Sequence, residues 1–240
     1  MKRANVLAVF TLLVIICVCV YVYLQYSSSV IDCTVIRRIP TENGVVEIID
    51  NTCQEGLPHT TDSETIRMTE ETWESMRQSE ILIHERIHLD QKRWPNKWRE
   101  FYKRLWDYDI SNIPPPELPP SIVHQLRPNP DTNDAPWATW MGRYVFFPIY
   151  GHGKKRLQSA PVRIWDIVER AFVEIPADWK TEFCDSQGCP HQYEHPHELA
   201  AELLTLSSQS PAAGRLRKNI SLLNSRYGGN GARSDRIQSD

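Results

Sequence analysis

The run His84-Glu85-Arg86-Ile87-His88 sets two imidazoles one helical turn apart, with a carboxylate beside the first. On a helix, residues i and i+4 share a face with Cβ atoms about 6 Å apart, so both rings can reach one ion at roughly 2.0–2.1 Å per zinc–nitrogen bond. Glu85 points about 100° away around the helix, which suits a general base toward a water better than a third ligand. With eight histidines in 240 residues, an accidental HExxH has odds on the order of a few per cent. The flanks Ile81-Leu82-Ile83 and Leu89 are apolar, and no proline or glycine interrupts residues 79–91. A buried helix is therefore expected to carry the motif.

Two histidines leave a zinc site incomplete. The best candidate for a third ligand lies in His195-Pro196-His197-Glu198-Leu199-Ala200-Ala201-Glu202, where proline opens a segment of strong helix formers. Glu198 and Glu202 share one face of that helix. In this reading Glu198 binds the metal and Glu202 accepts a hydrogen bond from the free ring nitrogen of a ligand histidine. His191, His195 and His197 are rival third ligands. Tyr193, His191 and His195 are candidate donors to the oxyanion of a hydrolytic transition state.

HExxH on one helix followed by E-x-x-x-[DE] on a later one resembles the gluzincin-type zinc metallopeptidases, the thermolysin-like branch of the zincins. The resemblance implies one catalytic Zn²⁺ held by His84, His88 and Glu198, Glu85 as base, Glu202 behind a ligand, and a peptide or protein substrate. The combined pattern is also similar to metallopeptidase-like proteins of large DNA viruses, a likeness with no functional content. The chain departs from most gluzincins in spacing, with about 110 residues between His88 and Glu198. The metzincin extension is missing, because Leu89-Asp90-Gln91-Lys92-Arg93-Trp94 offers neither glycine nor a third histidine.

The surrounding elements must position these groups. Val35 to Ile49, with Asn43-Gly44 inside, reads as a hairpin of two short strands. Ser63 to Met68 reads as a further strand, matching the edge strand that in zincins pairs with extended substrate. Thr69-Glu70-Glu71-Thr72-Trp73 starts a helical stretch with a break near Gln78-Ser79. After Trp94-Pro95, the segment from Asn96 to Tyr108 reads as a helix with Trp98, Phe101, Tyr102, Leu105 and Trp106 on its apolar face. The proline-dense stretch from Ile113 to Pro120 is expected to cross the surface as a loop. Arg127-Pro128-Asn129-Pro130-Asp131-Thr132-Asn133-Asp134 admits three readings: an Asx-stabilised turn, a calcium loop without EF-hand spacing, or an insertion that shapes the substrate cleft. Trp137-Ala138-Thr139-Trp140 precedes a strand-like stretch from Arg143 to Tyr150.

From Ala4 to Tyr26 the chain is uncharged and apolar. About 23 residues at 1.5 Å rise span roughly 35 Å, enough for the hydrocarbon core of a bilayer. A cleaved signal peptide has a shorter apolar region, so a retained signal-anchor is expected, with residues 1–3 in the cytoplasm. Cys17 and Cys19 lie inside this run. Cys33, Cys53, Cys184 and Cys189 form an even set outside it, which suits two disulfides in the secretory lumen, outside the cell or on a virion membrane. The local pairing Cys33–Cys53 and Cys184–Cys189 is expected; a structural zinc site using Cys184, Cys189 and His191 is the rival. Asn219-Ile220-Ser221 is a glycosylation sequon usable on the same side.

The expected architecture is a single α+β zincin-like domain over residues 27–206, with a small sheet, an HExxH helix and a Glu-bearing helix. It follows the anchor and precedes a flexible polar tail over residues 207–240. A net charge of −3 indicates no nucleic-acid partner. The expected function is membrane-anchored peptide hydrolysis. The competing readings are a non-catalytic membrane or virion surface protein with a structural or accidental site, and a zinc hydrolase of a non-peptide amide or ester.

Overall fold

The computed structural model describes residues 33–42, 44–127, 129–149 and 161–227, with side chains to residue 220. The expected membrane segment from Ala4 to Tyr26 and the last residues of the tail lie outside these. No helix among the described residues is long and apolar enough to cross a membrane. The described chain is α+β, with two sheets and seven α-helices.

The first sheet has the order β1-β2-β4-β3, from β1 (Val35–Thr41), β2 (Gly44–Ile49), β3 (His59–Thr60) and β4 (Thr65–Thr69). The expected hairpin is β1–β2, antiparallel through its length. Gly44 has φ +142°, and a Cβ there would fall 2.1 Å from the Glu64 carbonyl oxygen, so no side chain fits. Alternation along β2 sends Val46 and Ile48 into a cluster with Ile66, Met68 and Leu89. On the opposite face Glu47 is held between Arg38 and Arg67, its register partners on either side. The sheet corrects one expectation: β4 is an interior strand, parallel to β2 on one side and paired with β3 at Ile66 and Arg67 on the other.

Helix α1 (Glu70–Glu74), N-capped by Thr69, leads through a short break into the motif helix α2 (Gln78–Arg93). Trp94 ends α2, and Pro95 opens α3 (Pro95–Trp106). Asp107, at φ 55°, stops α3 short of the expected Tyr108, which begins β5 instead. The second sheet is an antiparallel meander in chain order: β5 (Tyr108–Ser111), β6 (Trp137–Trp140), β7 (Tyr144–Pro148), β8 (Val162–Asp166) and β9 (Ala171–Val173). Between β5 and β6 the expected loop ends in a short helix, α4 (Pro120–Val123), whose Ile122 packs with Leu118 and Trp137 under the sheet.

The main core joins the other face of this sheet to α3, α5 (Ala177–Phe183), α6 (Pro196–Thr205) and α7 (Pro211–Tyr227). It is built of large aromatics, each contributing about 1.5–3 kcal/mol on burial. The indole N–H groups of three tryptophans are satisfied: Trp179 donates to the Tyr108 hydroxyl, Trp140 to the Trp106 carbonyl and Trp106 to the Ala212 carbonyl. Both expected disulfides are present, Cys33–Cys53 with Cα atoms 5.2 Å apart and Cys184–Cys189 with Cα atoms 4.2 Å apart. This removes Cys184 and Cys189 as zinc thiolates.

Over Pro211–Tyr227 the stretch expected as flexible tail is a helix, α7. Its polar composition hides a stripe in which Ala212, Ala213 and Leu216 are fully buried against the core. Asn219 of the sequon sits on α7, its amide donating to the Arg215 carbonyl and its oxygen accepting from Arg104. Leu216→Ala is expected to cost about 2–5 kcal/mol in guanidinium unfolding followed by tryptophan fluorescence. A loss below about 0.5 kcal/mol, as for a surface position, would mean that α7 is not part of the core.

Candidate metal centre

Helices α2 and α6 lie side by side, and their contact brings together the residues that the sequence separates most widely. His84 Nε2, His88 Nε2 and a Glu198 carboxylate oxygen form a triangle with sides of 3.1, 3.3 and 3.4 Å. Ligand atoms around a tetrahedral zinc with bonds of about 2.0–2.1 Å lie about 3.3–3.4 Å apart, so the donor set fits the ion. The three residues stand together as a group able to hold a metal.

Proton bookkeeping supports the same reading. Gln91, one turn beyond His88, donates its amide to the Tyr102 hydroxyl and to the His197 carbonyl, each at 3.0 Å, which fixes its oxygen toward His88. His88 Nδ1 must then donate to Gln91 Oε1, 2.7 Å away, leaving the Nε2 lone pair facing His84 and Glu198. On the other side, Asn129 Oδ1 accepts the Asp131 N–H at 2.9 Å, so its Nδ2 donates to the second oxygen of Glu198 at 2.7 Å. One carboxylate oxygen is thereby engaged and the other turned to the histidines. Burial disfavours a proton on His88, but the carboxylates of Glu198, Asp131 and Glu85 outweigh it and push its pKa up to about 10. Burial also opposes charge on Glu198, yet His88 and His84 hold its carboxyl well below the ordinary range. The centre is arranged to hold a positive charge.

Glu85 is buried, and its Oε2 has no hydrogen-bond partner. Burial, reinforced by the charges of Asp131 and Glu198, pushes its carboxyl well above the usual range, against the pull of His88 and Lys92. It lines, with the three candidate ligands, a cleft of about 430 Å³ walled by α2, β3, α6 and the loop around Asn129. The buried face of α2 is thus the polar one: Glu85, His88 and Gln91 are buried with Leu89, while Ile83 is 46% exposed. Of the apolar flanks, Leu89 with Ile81 and Leu82 packs against the cluster under the first sheet, and Ile83 faces outward.

The loop from Arg127 to Asp134 combines two of its three readings. The Asp131 N–H bond to Asn129 is an Asx turn, and the loop also forms one cleft wall. Asp131 is not free for calcium. It accepts from the Thr60 N–H at 2.9 Å and from Lys92, whose ammonium also donates to the Thr60 carbonyl at 2.6 Å. The outward backbone groups of Thr60 on edge strand β3 are therefore already capped by side chains. A substrate strand cannot pair there.

The remaining sequence candidates are placed differently from expectation. Glu202 accepts the backbone N–H groups of His191 and Gln192, closing the turn before α6, and does not touch a ligand ring. His195 caps α6: its Nδ1 accepts the His197 N–H and its Nε2 donates to the Ala135 carbonyl, so both nitrogens are occupied. His197 stands against Tyr102, with Nδ1 3.2 Å from the hydroxyl. Burial lowers the pKa of both, that of His195 to about 4. Tyr193 packs its ring against Phe146 and Trp179, away from the cleft that its neighbours Gln192 and Glu194 line. His191 lines the cleft at its exposed side. A second grouping, Cys33, Cys53 and His59, offers no thiolate because its cysteines are joined.

Gln91 and Asn129 were not anticipated. Gln91 carried a signal, its i+3 spacing from His88 on the motif helix; Asn129 carried none, because its role depends on a fold-back of 69 residues. Comparison of the chain with protein-family models, curated proteins and solved structures gave no match.

Gln91→Ala and Asn129→Ala should each weaken zinc binding about 10–100-fold, measured by competition with a chromophoric chelator. Glu202→Ala should leave zinc affinity unchanged and lower the unfolding midpoint instead. Unaltered zinc affinity in the first two variants would remove their assigned roles.

Proposed function

We propose that the chain is a zinc-dependent metallopeptidase, anchored in a membrane by the segment from Ala4 to Tyr26, with its folded domain on the oxidising side. The observation that carries this reading is the triangle of His84, His88 and Glu198 opening into the same cleft as the unpartnered Glu85 carboxylate. A structural zinc is normally closed by four protein ligands, whereas here the metal-ligand grouping has three members among the described residues. The zincin-like fold, the peptide substrate and the membrane location rest on the motif resemblance, the apolar N-terminal run and the two disulfides.

Bound zinc would supply Lewis acidity toward a carbonyl oxygen and lower the pKa of a water to about 7. Glu85 takes the proton of the attacking water on its carboxylate and returns it to the nitrogen of the leaving amine. Its buried, partner-free setting keeps it basic. Gln91 fixes the tautomer of His88, and Asn129 fixes which oxygen of Glu198 faces the histidines. The approach of substrate is set by side chains, since β3 has its outward Thr60 groups capped.

In the zinc-loaded full chain, Glu85→Gln is expected to retain one bound zinc and lose hydrolysis of a quenched peptide library by about 10²–10⁴-fold. His84→Ala and Glu198→Ala should lose the zinc itself, measured by metal analysis after dialysis. Turnover surviving in Glu85→Gln would end the role of the base, and zinc indifferent to both ligand changes would end the site.

A further inference from the structure

We infer that Arg127 is a subsite for a carboxylate of the substrate, an inference that rests on the peptidase reading and narrows its substrate class. Arg127 lines the metal cleft on the same loop as Asn129, which holds Glu198. Its backbone is rooted in the second sheet, its N–H donating to the Pro148 carbonyl at 3.0 Å and the preceding Leu126 bridging to Ile149. Among the described residues its guanidinium makes no hydrogen bond and no ion pair, although Glu194 lies near enough to feel its charge. Nε is buried without a partner. The residue as a whole is half-buried in the wall of the cleft, and neither terminal nitrogen has a hydrogen-bond partner among the described residues.

A guanidinium with its donors unused is a poor structural element and a good receptor for a planar anion, which it meets through two parallel hydrogen bonds. The cleft supplies the reason for such an anchor. Because Asp131 and Lys92 cap the outward backbone groups of Thr60, a bound peptide cannot be aligned by strand pairing at that point and must be oriented by its own charged ends or side chains. Two sources present the required carboxylate, a free C-terminus and an acidic side chain.

The test is isothermal titration of the zinc-loaded full chain carrying Glu85→Gln, so that binding is read without turnover. The probes are one N-acetylated alanine tetrapeptide as free acid, the same peptide as C-terminal amide, and the amide with glutamate replacing one alanine. At least one carboxylate-bearing probe should bind about 10–100-fold more tightly than the plain amide, and Arg127→Gln should abolish that difference while leaving amide affinity and zinc content unchanged. A preference confined to the free acid assigns the C-terminus; one confined to the glutamate peptide assigns a side chain. Equal binding of all three, no measurable binding of either carboxylate probe, a preference that survives Arg127→Gln, or a parallel loss for the amide would overturn the inference. Hydrolysis by the protein with Glu85 intact is scored separately. Cleavage of all three peptides at equal rates leaves the peptidase and removes the subsite, whereas selective binding without cleavage does the reverse.

Discussion

Three lone pairs meet at the contact of α2 and α6, on His84 Nε2, His88 Nε2 and Glu198, with no separation above 3.4 Å. Groups of this kind repel one another and do not gather in a protein interior unless a positive charge sits among them. Much of the surrounding structure can be understood as holding that arrangement. Gln91 denies His88 the alternative tautomer, Asn129 takes up the spare oxygen of Glu198, and Tyr102 and the His197 carbonyl hold Gln91 in turn. The chain of hydrogen bonds runs from the candidate metal centre through Tyr102 into the aromatic core, so the orientation of the three residues is tied to the packing of that core.

The motif helix gives up ordinary amphipathicity to achieve this. Its most buried positions are Glu85, His88, Leu89 and Gln91, an ensemble that could not drive helix docking through apolar burial alone. Docking is supplied by the helix's few apolar side chains and by its partner helix. Leu89 packs into the cluster under the first sheet, and α6 presents Leu199, Ala200 and Leu203 to the main core, carrying Glu198 with them. The small side chains Ala200 and Ala201 are fully buried in the same helix. His84, His88 and Glu198 thus occupy the seam between two apolar clusters.

The loop between α4 and β6 joins the two sides of the cleft. Asn129 binds α6 through Glu198, while Asp131 binds β3 through Thr60 and α2 through Lys92. The Lys92–Asp131 pair has its side chains only 15% and 6% exposed, where removing one partner strands the other charge at considerable cost. The same interactions cap the outward groups of Thr60, so the loop that steadies the candidate metal centre also shapes its cleft.

By itself the sequence determined the elements whose signals are local. The HExxH spacing, the Asn43-Gly44 hairpin, the proline at the start of α6 and the Cys184–Cys189 pair all depend on residues within about one or two turns of each other, and short-range geometry is fixed by backbone sterics and hydrogen bonding. The grouping of His84, His88 and Glu198 was legible because helical periodicity aligned His84 with His88 and a second motif named Glu198. Tertiary structure alone decided the rest. A two-residue strand, β3, made β4 interior; the small buried stripe Ala212, Ala213 and Leu216 turned an apparently polar tail into a core helix. Glu202 went to a turn and Tyr193 to the core, while Gln91 and Asn129 took the places beside the ligands. Which polar groups become partners depends on where distant segments cross, and that is set by the packing of the two apolar clusters, whose long-range contacts leave no periodic mark on the chain.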